Sequence, residues 1–291
     1  MPKFPNNFRF LKAKLQSYES FYGIARSIQL VAFAKLKKLR KKIESRFISL
    51  RFVKTVLSNY YRIEIGRSIV SKDSVIMYCT SDKSCCGSIN YPVVNKTLKL
   101  MSVLISHSGD VILFPIGAKG FNILKRQYRR NMKFFAYDVE QSVSFFIGAH
   151  LLHNSMRNIH YDDLYLIFTR FIDNFTQQVV FYKLPSYISF LNTLFCDRDA
   201  NSVLDLFVNK HLVNHNFTRT FHNFMGSLVI LDSLEETVYS QLGAKAKTMD
   251  LALKSVGDTI NLLRVKYNKV RQAIITNDII EVLNASVAIL E

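Results

Sequence analysis

Residues 266–291 read KYNKVRQAIITNDIIEVLNASVAILE, a stretch that has helical spacing and contains no glycine, proline or other stop signal. Between Asp278 and the final Glu291 the only charged residue is Glu281. A helix of this kind has no cap and no core of its own at its end, so its apolar side chains need a partner. The stretch therefore predicts a long terminal helix that packs on another helix or another chain.

Helical character extends this prediction back to about residue 201, and the apolar spacing is regular from residue 256. The intervals between apolar residues are 4, 3, 4, 3 and 4, which is typical of a coiled-coil seam. The positions are Val256, Ile260, Leu263, Tyr267, Val270 and Ile274, after which the seam shifts to Ile280, Leu283, Val287 and Leu290. The sequence predicts a C-terminal coiled-coil helix over 201–291.

A second long helix is predicted over residues 1–59. From Asn7 to Asn59 the chain has no proline and a single glycine, Gly23. Apolar residues follow spacings of four and three in two sets that are interrupted at residues 28–35, and we expect the seam to change phase there. The first set is Leu11, Leu15, Tyr18, Tyr22 and Ala25; the second is Leu36, Leu39, Ile43, Leu50 and Val53.

The middle of the chain, 67–199, has a different pattern. Short β-rich runs at 74–79, 110–117 and 177–185 alternate with helical or turn-rich stretches. Apolar strands in this arrangement predict an α/β domain with a largely buried sheet. The expected fold class is therefore α/β, with two long helices bracketing one compact domain.

The charge balance points to acidic partners. The chain has 291 residues, and 39 Lys and Arg against 22 Asp and Glu give a formal net charge of +17. Nucleic acid, anionic lipid and acidic protein faces all fit such a charge. The densest cluster is KLKKLRKKIESR, which places Lys35, Lys37, Lys38, Arg40, Lys41, Lys42 and Arg46 around an apolar seam. A solvated helix face, a phosphate-binding stripe and a collar facing acidic protein remain open.

Few residues suggest catalysis or metal binding. The turn GAKG at 117–120 lacks the spacing of a phosphate-binding loop, and the histidine pairs 150/153 and 211/215 have no third ligand nearby. The four cysteines lack the spacing of a zinc site and suggest a reducing compartment. Asp162 and Asp163 are interpreted as a solvated turn. The sequence predicts no catalytic, cofactor-binding or metal-binding residues.

Three separated segments together resemble the γ subunit of the F-type ATP synthase. The first, IARSIQLVAFAKLKK (24–38), is similar to the family pattern ITKAMKMVAASKLRK, and the second, TSDKSCCGSIN (80–90), to TSDRGLCGALN. The third, YNKVRQAIITNDIIEVLNASVAIL (267–290), is similar to YNRARQAxITxEIxEIVxGAxAL. Departures occur at Ile28, where the family usually has Met, and at Gln241 and Lys245 in the segment SQLGAKAKTM.

The resemblance implies a Rossmann-like α/β foot domain and an antiparallel coiled coil that form the central rotor shaft. Its implied function is to couple proton-driven rotation of a membrane ring to ATP synthesis in a catalytic hexamer. The implied partners are the α and β subunits, the delta and epsilon central-stalk subunits and the c-ring, with no nucleic acid and no cofactor. The chain itself would be a non-catalytic subunit, peripheral to the membrane.

The resemblance also assigns contact residues. Those expected to face the stator, which is the stationary catalytic hexamer, are Ile28, Lys35, Lys37, Lys38, Arg40, Lys41, Arg271, Gln272, Thr276 and Asp278. Those expected to form an apolar bearing tip are Ile280, Leu283, Val287 and Leu290.

Two further questions stay open on sequence. Lys3, Arg9, Lys12 and Lys14 precede the first acid, Glu19, which fits either an organellar transit segment or the start of a helix. We expect the mitochondrial inner membrane, matrix side. The alternatives to the rotor shaft are a basic coiled-coil protein that binds nucleic acid or membrane, and an enzyme built on the middle domain.

Overall fold

The computed structural model describes residues 4–61, 73–83, 86–106, 109–139, 143–156, 159–172, 176–196 and 215–290. Within these ranges, the side chains of 4–7, 42–61, 154–155, 193–196, 215 and 288–290 are not described. The described chain divides into two compact units. One unit combines residues 1–33 with 246–291, and the other spans 34–245.

Two long helices lie at the two ends of the chain, as the apolar periodicity predicts. Helix α1 spans Phe4–Tyr61 and has 58 residues, and helix α6 spans His215–Leu290 and has 76 residues. The predicted part of the C-terminal helix before residue 215 lies outside the described residues. In the part of the chain that the structure describes, no helix is long and apolar enough to cross a membrane.

The predicted phase change in α1 is wrong. Gln29 is half-buried and Ala32 is 2% exposed, and both lie on the same stripe as the residues before and after them. They continue the spacing of four and three without interruption, so one seam runs through the region where a shift was expected. The described seam consists of Leu11, Leu15, Tyr18, Tyr22, Ala25, Gln29, Ala32, Leu36 and Leu39.

The middle of the chain forms a buried sheet, as predicted, and in the described residues this sheet has four strands. Strand β1 spans Asp73–Cys79, β2 Asp110–Ile116, β3 Asp163–Phe171 and β4 Gln177–Pro185. The strand order is β2-β1-β3-β4; β1 is parallel to both neighbours, and β4 is an antiparallel edge strand. Residues 132–136 form two parallel bridges beside β2, Leu113 to Met132 and Ile116 to Ala136.

Helices cover both faces of this sheet because its strands are buried on both sides. Helices α2 (Asn90–Ser106) and α3 (Ala118–Tyr128) cover one face, on which Tyr78, Tyr165 and Leu124 are buried. Helix α4 (Phe145–Met156) and the first part of α6 cover the other face. Helix α5 (Tyr187–Cys196) follows β4. The result is a three-layer α/β arrangement in which α6 forms part of the core.

The interpretation of Asp162 and Asp163 as a solvated turn is wrong for Asp163. This residue begins β3, is 5% exposed, and has a carboxylate oxygen 2.6 Å from Nζ of Lys183 on β4. Asp162 accepts a hydrogen bond from the amide of Asp73 at 3.2 Å. A buried carboxylate needs such a partner, so Asp163 joins β3 to β4 instead of facing solvent.

Candidate functional site

The carboxyl ends of β1 and β2 meet at the motif residues Thr80 and Gly117. The Thr80 hydroxyl donates toward the carbonyls of Ile116 (3.1 Å) and Gly117 (3.2 Å) and accepts from the amide of Gly120 at 3.0 Å. Gly117 has φ +102°, and a Cβ there would lie 2.0 Å from the Thr80 carbonyl oxygen. Only glycine fits this turn. The prediction that GAKG is a strand-ending turn holds for Gly117, whereas Ala118, Lys119 and Gly120 begin helix α3.

Asp82 lies at the N-terminus of α3. Its Oδ1 accepts a hydrogen bond from the amide of Ala118 at 2.8 Å, and its Oδ2 accepts one from the amide of Asp138 at 2.9 Å. In nucleotide-binding α/β folds, a phosphate commonly occupies the N-terminus of such a helix. Here the chain's own carboxylate lies at that position, so this end of the sheet is held together by internal capping.

Asn90 completes the same loop from the start of α2. Its amide oxygen accepts from the backbone N–H of Ser81 at 2.9 Å, and its amide nitrogen donates to the Ser81 hydroxyl at 2.8 Å. The Ser81 carbonyl in turn accepts from the amide of Lys119 at 3.0 Å. The described motif residues at 80–90 thus fix the loop; Ser84 and Cys85 lie outside the described residues.

Helix α6 is joined to the sheet by hydrogen bonds near Ser240. The Ser240 hydroxyl, fully buried, donates to the carbonyl of Thr169 at 2.9 Å, and the Gln177 side chain donates to the Ser240 carbonyl at 2.9 Å. Arg170 lies nearby, with Nε 3.9 Å from Glu236, and donates to the Tyr182 hydroxyl. These directional contacts hold this part of α6 at one position on β3 and β4.

Cys79 lies at the end of β1 beneath α6. Burial raises the pKa of its thiol to about 12, although hydrogen bonds with Thr237 and Ser233 act in the opposite direction. A buried thiol of this kind stays protonated at neutral pH and is a poor nucleophile. Among the residues that the structure describes, no group of three or more histidine, cysteine, aspartate and glutamate side chains could hold a metal ion.

Helices α1 and α6 pair in antiparallel orientation in the unit formed by 1–33 and 246–291. The rings of Phe8 and Tyr267 stack with centroids 4.9 Å apart. Further along α1, the Glu19 carboxylate lies 2.7 Å from Arg264. The Gln29 side chain then donates to Asp250 at 3.1 Å. Since the α1 numbers rise while the α6 numbers fall, the helices run in opposite directions.

The last turns of α6 extend past the first described residue of α1. Because Phe8 lies beside Tyr267, Phe4 corresponds to about residue 271 on α6. The remaining residues up to 290 span roughly 28 Å at about 1.5 Å per residue. The residues predicted as the bearing tip are exposed here: Ile280 is 48%, Leu283 58% and Val287 57% exposed, and the Leu290 side chain lies outside the described residues.

Other large apolar residues are also exposed in this segment. Ile275 is 45%, Ile279 54% and Val282 69% exposed. A concentration of exposed apolar residues of this kind marks a surface that contacts another molecule.

The polar residues predicted to face the stator on α6 are exposed as well. They are Arg271, Gln272, Thr276 and Asp278. The Thr276 hydroxyl donates to the carbonyl of Gln272 within the same helix at 2.9 Å. The Arg271 and Gln272 side chains face solvent immediately before the apolar end segment. The structure thus brings the polar set and the apolar set together on one helix.

The basic run on α1 falls in the other compact unit. Leu36 and Leu39 are half-buried, and the cations around them are exposed, in agreement with a seam flanked by charge. The exposed cations are Lys35, Lys37, Lys38, Arg40 and Lys41, whereas the side chains of Lys42 and Arg46 are not described. Ile28, the remaining predicted contact residue, is half-buried on α1.

Several polar contacts were not predicted. The pairs Gln29 with Asp250 and Glu19 with Arg264 join residues more than 200 positions apart, and no local pattern reveals such a pair. The double capping role of Asp82 was also missed. Its position just after an apolar strand is the one local sign of a capping residue in that loop.

Comparison with known proteins gives one consistent family. A family model described as ATP synthase matches residues 7–289. The ATP synthase gamma chain of Caldicellulosiruptor saccharolyticus is 28% identical, covering 98% of this chain and 99% of that one. The mitochondrial ATP synthase subunit gamma of Trypanosoma brucei brucei is 25% identical over 95% of this chain and 90% of its own.

Solved structures show the same fold. A chain of the Euglena gracilis mitochondrial ATP synthase, in a structure of OSCP, F1 and c-ring, superposes with a TM-score of 0.82 and 18% identity, covering 98% of this chain and 95% of that one. A chain in a rotor structure from the same organism gives 0.76 and 17% identity, covering 93% of this chain and 99% of that one. Because the family model and the relatives span nearly the whole chain, we conclude that this protein belongs to the ATP synthase gamma chain family.

Proposed function

We propose that the chain is the central-stalk rotor of an F-type ATP synthase and transmits rotation to the nucleotide sites of an α/β hexamer without an active site of its own. The end segment of α6, residues 275–290, supports this most strongly. It is helical and largely apolar, it matches the family's C-terminal pattern, and its described large apolar side chains are exposed in the isolated chain. A partner that surrounds it would remove this surface from water.

An apolar end suits rotation within a sleeve. Dispersion contacts are individually weak and have little directional preference, so an apolar tip can turn against an apolar wall. A ring of charge-assisted hydrogen bonds would instead favour fixed angles. Ile280, Leu283, Val287 and Leu290 are the proposed bearing residues.

The polar residues before the tip would contact the stator at particular angles. Arg271, Gln272, Thr276 and Asp278 offer charge and hydrogen-bonding groups to loops of the hexamer. Ile28 and the five cations at 35, 37, 38, 40 and 41 would face further loops, which we propose are acidic. An asymmetric shaft then favours a different conformation at each catalytic site, because each site meets different contacts.

The remaining partners follow from the same assignment. We propose that delta and epsilon central-stalk subunits and a membrane c-ring bind the unit that contains the sheet. Nucleotide and magnesium would belong to the hexamer, and this chain would hold no cofactor. Mitochondrial gamma chains are among the relatives, which supports a location on the matrix side of the mitochondrial inner membrane.

The direct test is purification of the native complex through a tag on this chain. We expect one copy beside three α and three β subunits, with ATPase activity. Recovery without those subunits would contradict the proposal.

A matched pair of variants tests the contact residues. We expect Arg271→Ala to lower ATP synthesis and hydrolysis by roughly tenfold, since a lost charge-assisted hydrogen bond costs on the order of 1.4 kcal/mol or more. Lys269→Ala, which removes an exposed cation two residues earlier, is the control. Normal turnover of an assembled Arg271→Ala complex would contradict the role assigned to Arg271.

A further inference from the structure

The sheet domain carries a basic surface whose residues have no role in the rotor-stator contacts proposed for α1 and α6. Residues 118–137 contain six cations and no acid. All six side chains are exposed, and they lie on α3, on the short 3-10 helix Arg129–Asn131 and on the segment beside β2. The cations are Lys119, Lys125, Arg126, Arg129, Arg130 and Lys133.

The helical period explains why the cations of α3 share one side. Gly120 and Leu124 are buried against the sheet, and the 3.6-residue repeat places Lys119 and Arg126 on the opposite side of the helix. Lys125 lies at the edge of this side, with Nζ 5.7 Å from the centroid of the Phe121 ring. The solvent side of α3 therefore carries cations near both ends of the helix.

Three aromatic rings form a row beside these cations. The ring centroids of Phe121 and Phe135 are 4.2 Å apart, and those of Phe135 and Tyr137 are 5.6 Å apart, with interplanar angles of 19° and 24°. Phe135 and Tyr137 alternate along the edge segment with Phe134 and Ala136, which pack on the other side of the sheet. Tyr137 is 71% exposed and Phe135 36%.

The three rings stabilise one another by stacking, but part of the row is exposed to solvent. Stacking accounts for the facing surfaces of the rings, yet the outer surface of Tyr137 faces solvent, as does Ile123 on α3, which is 51% exposed. The surface thus has an apolar and aromatic centre and a rim of cations. We call residues 119–137 with exposed side chains the basic aromatic surface.

We propose that the basic aromatic surface binds the headgroups of anionic phospholipids. Aromatic side chains with a polar tip favour the boundary between headgroups and acyl chains, while Lys and Arg reach the phosphates around them. The six cations attract an anionic leaflet, at about 1 kcal/mol per cation close to the surface.

The arrangement favours a lipid surface over nucleic acid or an acidic protein. All three rings already stack on a neighbour, and Phe135 stacks on two, which leaves few free ring faces for bases. The cations lie on the outward side of a helix, which is convex, whereas a protein partner usually needs close shape complementarity to bind tightly. A fluid lipid surface adapts to a convex shape.

The experiment is flotation of the full-length chain with vesicles of phosphatidylcholine alone or of phosphatidylcholine with phosphatidylglycerol. We expect binding only to the anionic vesicles, decreasing as salt is raised. Neutralising two cations, Arg126→Gln with Arg130→Gln, should weaken binding by roughly 30-fold, the equivalent of about 2 kcal/mol.

Matched controls separate this surface from general charge. Lys266→Gln with Lys269→Gln removes the same charge from exposed positions that are not part of the basic aromatic surface, and should leave binding within about twofold if that surface is the binding site. Tyr137→Ser tests the aromatic centre and should weaken binding without changing its salt dependence. Circular dichroism of each variant checks that the fold is retained.

Three outcomes would overturn the proposal. The first is an equal loss of vesicle binding in the Arg126/Arg130 variant and in the Lys266/Lys269 variant. The second is unchanged binding in both Tyr137→Ser and the Arg126/Arg130 variant. The third is displacement of the chain from vesicles by polyglutamate at low concentration. The last result would assign the surface to an acidic protein. Each outcome is independent of whether the chain assembles with an ATP synthase hexamer.

Discussion

Helix α6 carries apolar side chains near both of its ends, but only those of its first part are buried within this chain. Met225, Ile230 and Leu234 are at most 3% exposed and pack in the core of the sheet domain. Leu283 and Val287 are each more than half exposed. The difference shows that composition alone does not separate residues that stabilise a fold from residues kept for a partner.

The two parts of α6 also differ in their polar contacts. The Ser240 hydroxyl bonds a strand of the sheet, whereas the Thr276 hydroxyl bonds the carbonyl one turn earlier in its own helix. The first contact fixes α6 on another element. The second leaves α6 free to present the surrounding residues to another molecule.

The largest expected effect is on the free energy of unfolding, when the same Leu→Ala substitution is made in the first part and in the last part of α6. Leu234→Ala should lower the free energy of unfolding by about 2–5 kcal/mol, because it leaves a cavity in the core. Leu283→Ala should change it by less than about 0.5 kcal/mol. Urea unfolding of the two variants measures both values, and equal losses would break the comparison.

The second prediction concerns assembly. Adding a charge with Leu283→Asp or Val287→Asp should lower recovery of the chain in complex several-fold, because a buried unpaired carboxylate is costly. Asn284→Asp adds the same charge at the neighbouring position and should have the smaller effect. Subunit yields from a tagged purification provide the measurement; similar yields would argue against a buried tip.

A third, smaller effect tests the difference between the hydrogen bonds of the Ser240 and Thr276 hydroxyls. Ser240→Ala should cost about 1 kcal/mol or slightly more, because the buried carbonyl of Thr169 loses its donor. Thr276→Ala should cost almost nothing in stability, since its hydroxyl is exposed and bonds its own helix. Thermal unfolding distinguishes the two, and the opposite order would contradict the assignment of Ser240 as an anchor.

The smallest expected effect is a pH dependence of the sheet domain. His222 is buried, Nε2 lies 3.0 Å from the Pro185 carbonyl, and burial lowers the pKa of the imidazole below its usual 6.5. The unfolded chain then binds more protons than the folded chain, so stability should fall as the pH drops below about 6.5.

In His222→Gln the free energy of unfolding should change less with pH. Urea unfolding at pH 7.5 and pH 5.0 measures this, because the two conditions lie on either side of the ordinary histidine pKa of about 6.5. His150→Gln, at an exposed position on α4, is the control and should leave this pH dependence unchanged. A dependence that survives in His222→Gln would place its origin elsewhere.

The elements of the fold were largely predictable because their patterns are strong. The run at 177–185 coincides with β4, and the run at 110–117 differs from β2 by one residue. The phase change predicted in α1 failed because Gln29 and Ala32 are not large apolar residues. Gln29 instead occupies a seam position by bonding Asp250, a partner that sequence spacing cannot show.

The candidate site was predictable only through the resemblance. Periodicity identifies a helix at 267–290, but nothing in the spacing distinguishes Arg271 or Gln272 from other exposed polar residues. Asp163 shows the same limit, since its burial depends on Lys183, which lies on the next strand. Local patterns determine the elements, whereas long-range partners decide which polar residues are buried.

The carboxylate of Asp82 couples the opening of two backbone amides that are far apart in the sequence. The N–H groups of Ala118 and Asp138 are separated by twenty positions, yet each donates to a different oxygen of one side chain. Both amides lose their acceptor when that side chain rotates away. Their hydrogen exchange with solvent should therefore report a single local opening, which joins the start of α3 and the segment beside β2 into one cooperative unit.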